Sequence, residues 1–209
     1  MTHILIVAWE YPGMNSSQGQ ALVRRIGQLL RGFLSNGYKV TFLHHDKKNE
    51  TQDKSHVIYT EGNLTRIAVA FDSQQKTSHP LFRKFRTFWE VATRGDYTGN
   101  WANACIKLIG SEMVEIQRPH AILAFSSPKG PIYLAHVLAK KFKTKYFVDY
   151  QDPYFEGTGA GLIKKISDYW TKKTLKQCTE VTIINRFWAE QLKTVYEKKI
   201  TVLDHAIPS

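Results

Sequence analysis

The chain has 209 residues, a hydrophobic share of 43%, a charged share of 22% and a formal net charge of +11. That composition excludes global disorder, and no apolar run reaches the roughly 18 residues that would cross a bilayer as a helix. The charge favours anionic partners, which are phosphate groups, anionic lipid or nucleic acid.

His3-Ile4-Leu5-Ile6-Val7-Ala8-Trp9 is a nearly continuous apolar run, the pattern of a strand buried on both faces and so of a parallel sheet. The polar connection from Glu10 to Gln20 is longer than the roughly 2 to 6 residues usual between strand and helix, which points to a site. From Ala21, the residues Leu22, Ile26, Leu29, Leu30, Phe33 and Leu34 recur at helical spacing, with Arg24, Arg25, Gln28 and Arg31 mostly on the other side. Asn36-Gly37 ends that helix, and residues 38–43 read as a second strand, joined to the first by a right-handed crossover. In open sheets of this kind, ligands sit beyond the carboxyl ends of the strands, and the amides that open the helix can hold an anion.

Residues 44–56 read as a polar surface loop, and its His44-His45 pair would point to opposite faces rather than converge on a metal. Residues 57–60 and 64–70 form an expected hairpin at the sheet edge, turning at Glu61-Gly62-Asn63. Between His79 and Arg94, Phe82, Phe85, Phe88 and Trp89 interleave with Arg83, Lys84 and Arg86; such a helix packs its aromatic stripe on the domain or lies in lipid headgroups. A helix over 101–117 precedes a buried strand at 120–125, the loop Ser126 to Pro131 and a helix over 132–142.

A strand at 145–150 leads into Gln151-Asp152-Pro153, then a glycine-rich link and a helix over 162–177. Its lysines 164, 165, 172, 173 and 176 make a solvated face or a second membrane-facing surface. A strand at 181–184, the exit Asn185-Arg186-Phe187, a helix over 188–196 and a strand at 199–203 complete the alternation. Strands alternating with helices predict one α/β domain over 1–209, a doubly wound, mostly parallel, Rossmann-like sheet with helices on both faces. Cys105 and Cys178, both in helical patterns, read as buried small hydrophobes, neither a disulfide framework nor a zinc site.

The order of these segments resembles the N-terminal domain of retaining GT-B glycosyltransferases, specifically glycosyltransferase family 4. The resemblance is carried by Ile4-Leu5-Ile6-Val7 with Tyr11-Pro12, by Gly19-Gln20-Ala21-Leu22-Val23-Arg24, and by Asn36-Gly37-Tyr38-Lys39-Val40-Thr41-Phe42-Leu43. Arg118 to Pro128 resembles the family's Arg-Pro-Asp-Val-Val followed by a Ser/Pro loop. Phe147-Val148-Asp149-Tyr150-Gln151-Asp152 is similar to a Val-Leu-Asp-x-Arg-Asp segment of members that act on lipid-linked acceptors. Two positions depart from the family pattern: its Gly-Gly pair is the single Gly19, and its Asn-Gly before the second domain is His205-Ala206.

The resemblance implies an acceptor-side domain, inactive alone, whose partner is a C-terminal donor-binding domain beyond Ser209. Its co-substrates would be a nucleotide-sugar and a glycan or lipid-linked acceptor, with no metal and no further cofactor. Gly19 and Gln20 match the position that approaches the diphosphate; a glycine that only eases the turn is the other reading. Asp152 lies beyond a strand's carboxyl end, where it can orient a hydroxyl or take its proton, or else cap the following turn. Ser126, Ser127, Gln151 and Asn185 would line the cleft, the other reading of Ser126, Ser127 and Asn185 being polar residues that only form the loops at strand ends, with Lys129 and Arg24 as weaker phosphate contacts or solvated cations. A cytoplasmic protein, peripheral at the inner face of a membrane, fits that role. The rival is a non-catalytic binding module whose basic surface recruits anionic lipid or nucleic acid; for the transferase, nucleic acid is not expected as a partner. The Gly-x-Gly-x-x-Gly fingerprint, the Walker-type phosphate loop and the Gly-x-Ser-x-Gly elbow are all missing from the sequence.

Overall fold

The computed structural model describes residues 1–12, 20–46, 55–70, 88, 96, 98–126, 128–150, 162–196 and 200–203. Within these the chain runs β1 (His3–Val7), α1 (Gln20–Ser35), β2 (Lys39–His45), β3 (His56–Glu61), β4 (Leu64–Val69) and α2 (Gly99–Gly110). It continues through β5 (Ala121–Phe125), α3 (Gly130–Phe142), β6 (Lys145–Tyr150), α4 (Leu162–Gln177), β7 (Glu180–Ile183), α5 (Arg186–Tyr196) and β8 (Ile200–Val202). The strands form one eight-stranded sheet in the order β3-β4-β2-β1-β5-β6-β7-β8. All pairings are parallel except β3 with β4, the hairpin at the edge. The doubly wound, Rossmann-like architecture is therefore present.

Side-chain alternation along the strands builds two cores. Ile4, Ile6, Val40, Phe42 and Phe125 face α1 and receive its Leu22, Ile26 and Leu30. On the opposite face Leu5, Val7, Leu43, Ile67, Ala124, Val148 and Ile183 pack with Trp101 and Cys105 of α2, Ile132 and Leu134 of α3, and Leu175, Ala189 and Leu192 from α4 and α5. Both cysteines are buried thiols outside any disulfide, and Cys178 Sγ donates to Leu175 O at 3.0 Å. Among the described residues, no helix is long and apolar enough to cross a membrane.

The end of α1 follows from Gly37, whose φ of 76° is in the left-handed region. The Tyr38 amide donates to Phe33 O at 3.1 Å and the Gly37 amide to Leu34 O at 3.0 Å, closing the last turn. The Phe33 and Tyr38 rings meet edge to face at 5.7 Å, the apolar contact that usually accompanies this cap.

Several boundaries differ from the periodicity reading. Strand β2 runs on through His44 and His45, which pair with Ala68 and Val69 of β4, so the surface loop starts later than residue 44. Helix α2 stops at Gly110 rather than Gln117; Glu112 has φ of 60°, and Val114 and Ile116 reach the core from irregular chain. Helix α3 starts earlier than residue 132, with Gly130 and Pro131 as its first residues, because proline's missing amide costs nothing in a first turn. The aromatic stretch 79–94, apart from Phe88, lies outside the described residues.

Candidate functional site

The chain's direction across the sheet reverses at β1. Strand β2 lies on one side of β1 and β5 on the other, and α1 and α3 pack on opposite faces. The connections after β1 and β5 therefore part at this point, which opens a crevice beyond the carboxyl ends, where ligands bind in folds of this kind.

An ion pair joins the elements below that crevice. Arg25 of α1 is 4% exposed and Asp149 of β6 is 1% exposed. Arg25 Nε donates to Asp149 Oδ2 at 2.6 Å and its second terminal nitrogen to Oδ1 at 2.9 Å, a bidentate fork. The remaining terminal nitrogen donates to Leu203 O at 3.0 Å, and Thr182 Oγ1 donates to Asp149 Oδ1 at 2.7 Å. One guanidinium thus ties the helix after β1 to β6 and to the chain leaving β8, while the same carboxylate holds β7. Arg25, which spacing puts mostly on the side of α1 away from its apolar residues, is buried, with its charge met by a carboxylate of the sheet.

The N-terminus of α3 already holds a carboxylate. Asp96 Oδ2 accepts the Lys129 amide at 2.7 Å, and its Oδ1 accepts the Thr98 amide at 2.8 Å as well as the Thr98 hydroxyl. Thr98 Oγ1 in turn accepts the Gly130 amide at 2.8 Å. Burial pushes the Asp96 carboxyl above its ordinary value, against hydrogen bonds that pull the other way. This helix end, where an anionic ligand could have been received, is filled by the protein itself.

Aromatic rings flank the other side of the crevice. Beyond β1, Tyr11 meets Phe42 edge to face at 5.1 Å and lies against His44 at 5.3 Å. Trp9 stacks on His45 at 4.2 Å and meets Trp101 at 5.6 Å. The two adjacent histidines thus serve opposite faces. His44 Nδ1 donates to the His45 carbonyl at 2.8 Å, and burial lowers its pKa to about 4.

No sequence-family profile matches the chain, and no curated protein matches it by sequence.

Solved structures match it by shape. A trehalose-6-phosphate protein from E. coli, bound with UDP-2-fluoro glucose, superposes with a TM-score of 0.56 at 11% identity, over 94% of this chain and 42% of its own. UGT89C1 of Arabidopsis thaliana in complex with UDP gives 0.55 at 14% identity, over 99% and 50%. The alpha,alpha-trehalose 6-phosphate synthase of Burkholderia multivorans gives 0.55 at 12%, over 99% and 48%. This likeness shows the fold, a Rossmann-like half of the GT-B type. The chain spans about half the length of the structures it matches.

Among the residues singled out from sequence, Gln20 opens α1. Ser126 is buried, and its amide donates to Asp149 O at 2.9 Å, so it braces the β5 connection and presents no surface to the crevice. Asn185 is exposed at the end of β7 and caps α5, its Oδ1 accepting the Phe187 amide at 2.8 Å. Gly19, Ser127, Gln151 and Asp152 lie outside the described residues. Arg24 is exposed, whereas Lys129, read as a solvated cation, is 7% exposed at the start of α3. Sequence reasoning passed over Arg25, Asp149 and Asp96. Asp149 carried a signal, a lone carboxylate within the run Tyr146-Phe147-Val148-Asp149-Tyr150, because a charge in a buried strand needs a cation from elsewhere.

Proposed function

We propose that this chain is the acceptor-side half of a GT-B glycosyltransferase of family 4, moving a hexosyl group with retention from a nucleotide-sugar to a glycan or lipid-linked acceptor in polysaccharide assembly. The observation that carries the reading is the reversal of strand order at β1 and β5, beside which the buried Arg25–Asp149 pair joins α1 to β6. The nucleotide ligands of two solved relatives, UDP and UDP-2-fluoro glucose, support it.

Sugar transfer breaks the bond from the anomeric carbon to the diphosphate, so negative charge grows on the departing phosphate. Gly19 and Gln20 present backbone amides there, and preorganised dipoles stabilise such charge without rearranging. Asp152, just past β6, orients the acceptor hydroxyl or takes its proton. Ser127, Gln151 and Asn185 contact substrate around it, and Ser126 holds the β5 connection in place. A second domain supplies the donor site, so the isolated chain does not turn over; the proposal includes no metal and no further cofactor. The protein works in the cytoplasm, peripheral at the inner face of a membrane.

The test is consumption of labelled nucleotide-sugars by the full-length protein that carries this chain. Asp152→Ala is expected to lower turnover about 100-fold or more, the usual worth of a positioned acid or base. Full activity of that variant removes Asp152 from the mechanism, and failure to consume any nucleotide-sugar removes the reading. The binding-module rival is favoured by α4, where Lys165, Lys172, Lys173 and Lys176 are exposed beside Tyr169.

A further inference from the structure

Among the described residues, no helix covers the β3 edge of the sheet face on which α1 packs. Register pairs Arg66 of β4 with Tyr59 of β3 and Leu64 with Glu61, which puts these four side chains on that face. With Tyr11, from the connection that flanks the crevice, they line an open groove of about 650 Å³. That is within the roughly 300–1,000 Å³ of sites for small organic ligands. The Arg66 guanidinium lies over both rings, 4.9 Å from the Tyr11 centroid and 4.2 Å from that of Tyr59. The two contacts hold the guanidinium against both rings, and a guanidinium offers more N–H donors than one partner can take. Tyr59 is 43% exposed, and Glu61 is exposed with a carboxylate that only accepts.

We propose that this groove is an outer acceptor subsite, which takes uncharged pyranose rings of a glycan running from the crevice along β4 and β3. A sugar ring lays its C–H face on the side of the Tyr59 ring that Arg66 leaves uncovered, and its hydroxyls accept from Arg66 and donate to Glu61. The chemistry disfavours other occupants. An apolar tail would bury the Glu61 carboxylate without a hydrogen bond, and a polyanion would face it. Continuity with the crevice comes from Tyr11, which belongs to both. The inference rests on the glycosyltransferase reading for its role, and on the groove alone for its binding.

The experiment is an array of immobilised neutral, uronate-bearing and phosphorylated oligosaccharides probed with the 209-residue chain. Neutral oligosaccharides are expected to bind. Tyr59→Ala should weaken binding by up to about tenfold, the worth of one aromatic stacking contact, while Tyr59→Phe retains it. Circular dichroism and the Tm of each variant exclude unfolding as the cause. Binding confined to the anionic glycans, no glycan bound, or a Tyr59→Ala variant that binds as wild type overturns the proposal. In the full-length protein, an unchanged KM for an extended acceptor in Tyr59→Ala overturns the subsite and leaves the transferase standing. Tyr59-dependent glycan binding without nucleotide-sugar consumption does the reverse.

Discussion

Arg25 of α1 and Asp149 of β6, 124 positions apart in sequence, meet through two hydrogen bonds in the buried floor of the crevice. The pair ties α1 to the sheet at β6. Its energetic meaning is asymmetric. Two buried charges bring little net stability over a well-packed apolar pair, but removing one leaves the other unpaired, at about 3–5 kcal/mol. Arg25→Met and Asp149→Leu are each expected to lose stability on that scale in urea unfolding. The double variant should lose less than either loss would predict by addition. Additive losses would show that the two side chains do not depend on each other.

His44 makes the fold acid-sensitive in a defined window. Its Nδ1 proton is committed to the His45 carbonyl, and Nε2 is buried with no hydrogen-bond partner. A second proton would have to enter at Nε2. Because the folded pKa is depressed from 6.5 to about 4, chiefly by burial, the unfolded chain takes up a proton first as pH falls. The stability is complete above about pH 6.5 and is lost progressively toward pH 4, by about 3 kcal/mol from a shift of this size. Urea midpoints at pH 7 and pH 4.5 should differ less in His44→Phe than in wild type. An equal difference would assign the acid sensitivity to other groups.

Much of the architecture was legible because period-2 and period-3.6 patterns report which residues meet a core. The strand runs at His3–Val7 and Ala121–Phe125 and the helix from Leu22 to Leu34 stand where those patterns placed them. What periodicity could not report is partnership. Arg25 falls among the polar residues of α1 by spacing alone, and only the tertiary fold brings a carboxylate under it. Val114 and Ile116 looked helical because they are apolar at suitable spacing, yet they enter the core from a turn with a left-handed residue at 112. For the site, sequence identified the strand ends, whereas the carboxylate at the start of α3 comes from Asp96, more than thirty positions upstream of Lys129.

Gly130 is required by the close approach of α2 and α3. A Cβ at this position would lie 2.4 Å from Thr98 Oγ1 and 2.7 Å from Thr98 O, both below any real contact distance. Gly130→Ala should therefore cost about 1–3 kcal/mol, the usual range for overpacking in a filled core. Thr98→Ala in the same chain removes the hydroxyl but keeps the Cβ, 2.8 Å from the added methyl, and the backbone carbonyl, and it takes away the acceptor of the Gly130 amide, so it should not restore that loss. Restoration would show that the carbonyl is free to move aside, and an unchanged Tm in Gly130→Ala would show that the helices are not tightly seated.

The basic face of α4 separates a lipid partner from a nucleic-acid partner. Lys173 lies over the Trp170 ring at 4.7 Å and the Tyr169 ring at 5.9 Å, which sets a cation beside aromatic surface, and Tyr169 is 59% exposed. Aromatic rings with lysines suit the boundary between headgroups and acyl chains, where each lysine near an anionic surface contributes about 1 kcal/mol. Replacing Lys172, Lys173 and Lys176 with Gln should then weaken sedimentation with phosphatidylserine vesicles by roughly 100-fold at low salt. Tyr169→Ala should weaken it further at a salt concentration that screens the lysines, because ring burial does not depend on ionic strength. Binding to duplex DNA with a steep salt dependence, and no loss in Tyr169→Ala, would instead assign this face to phosphate backbones.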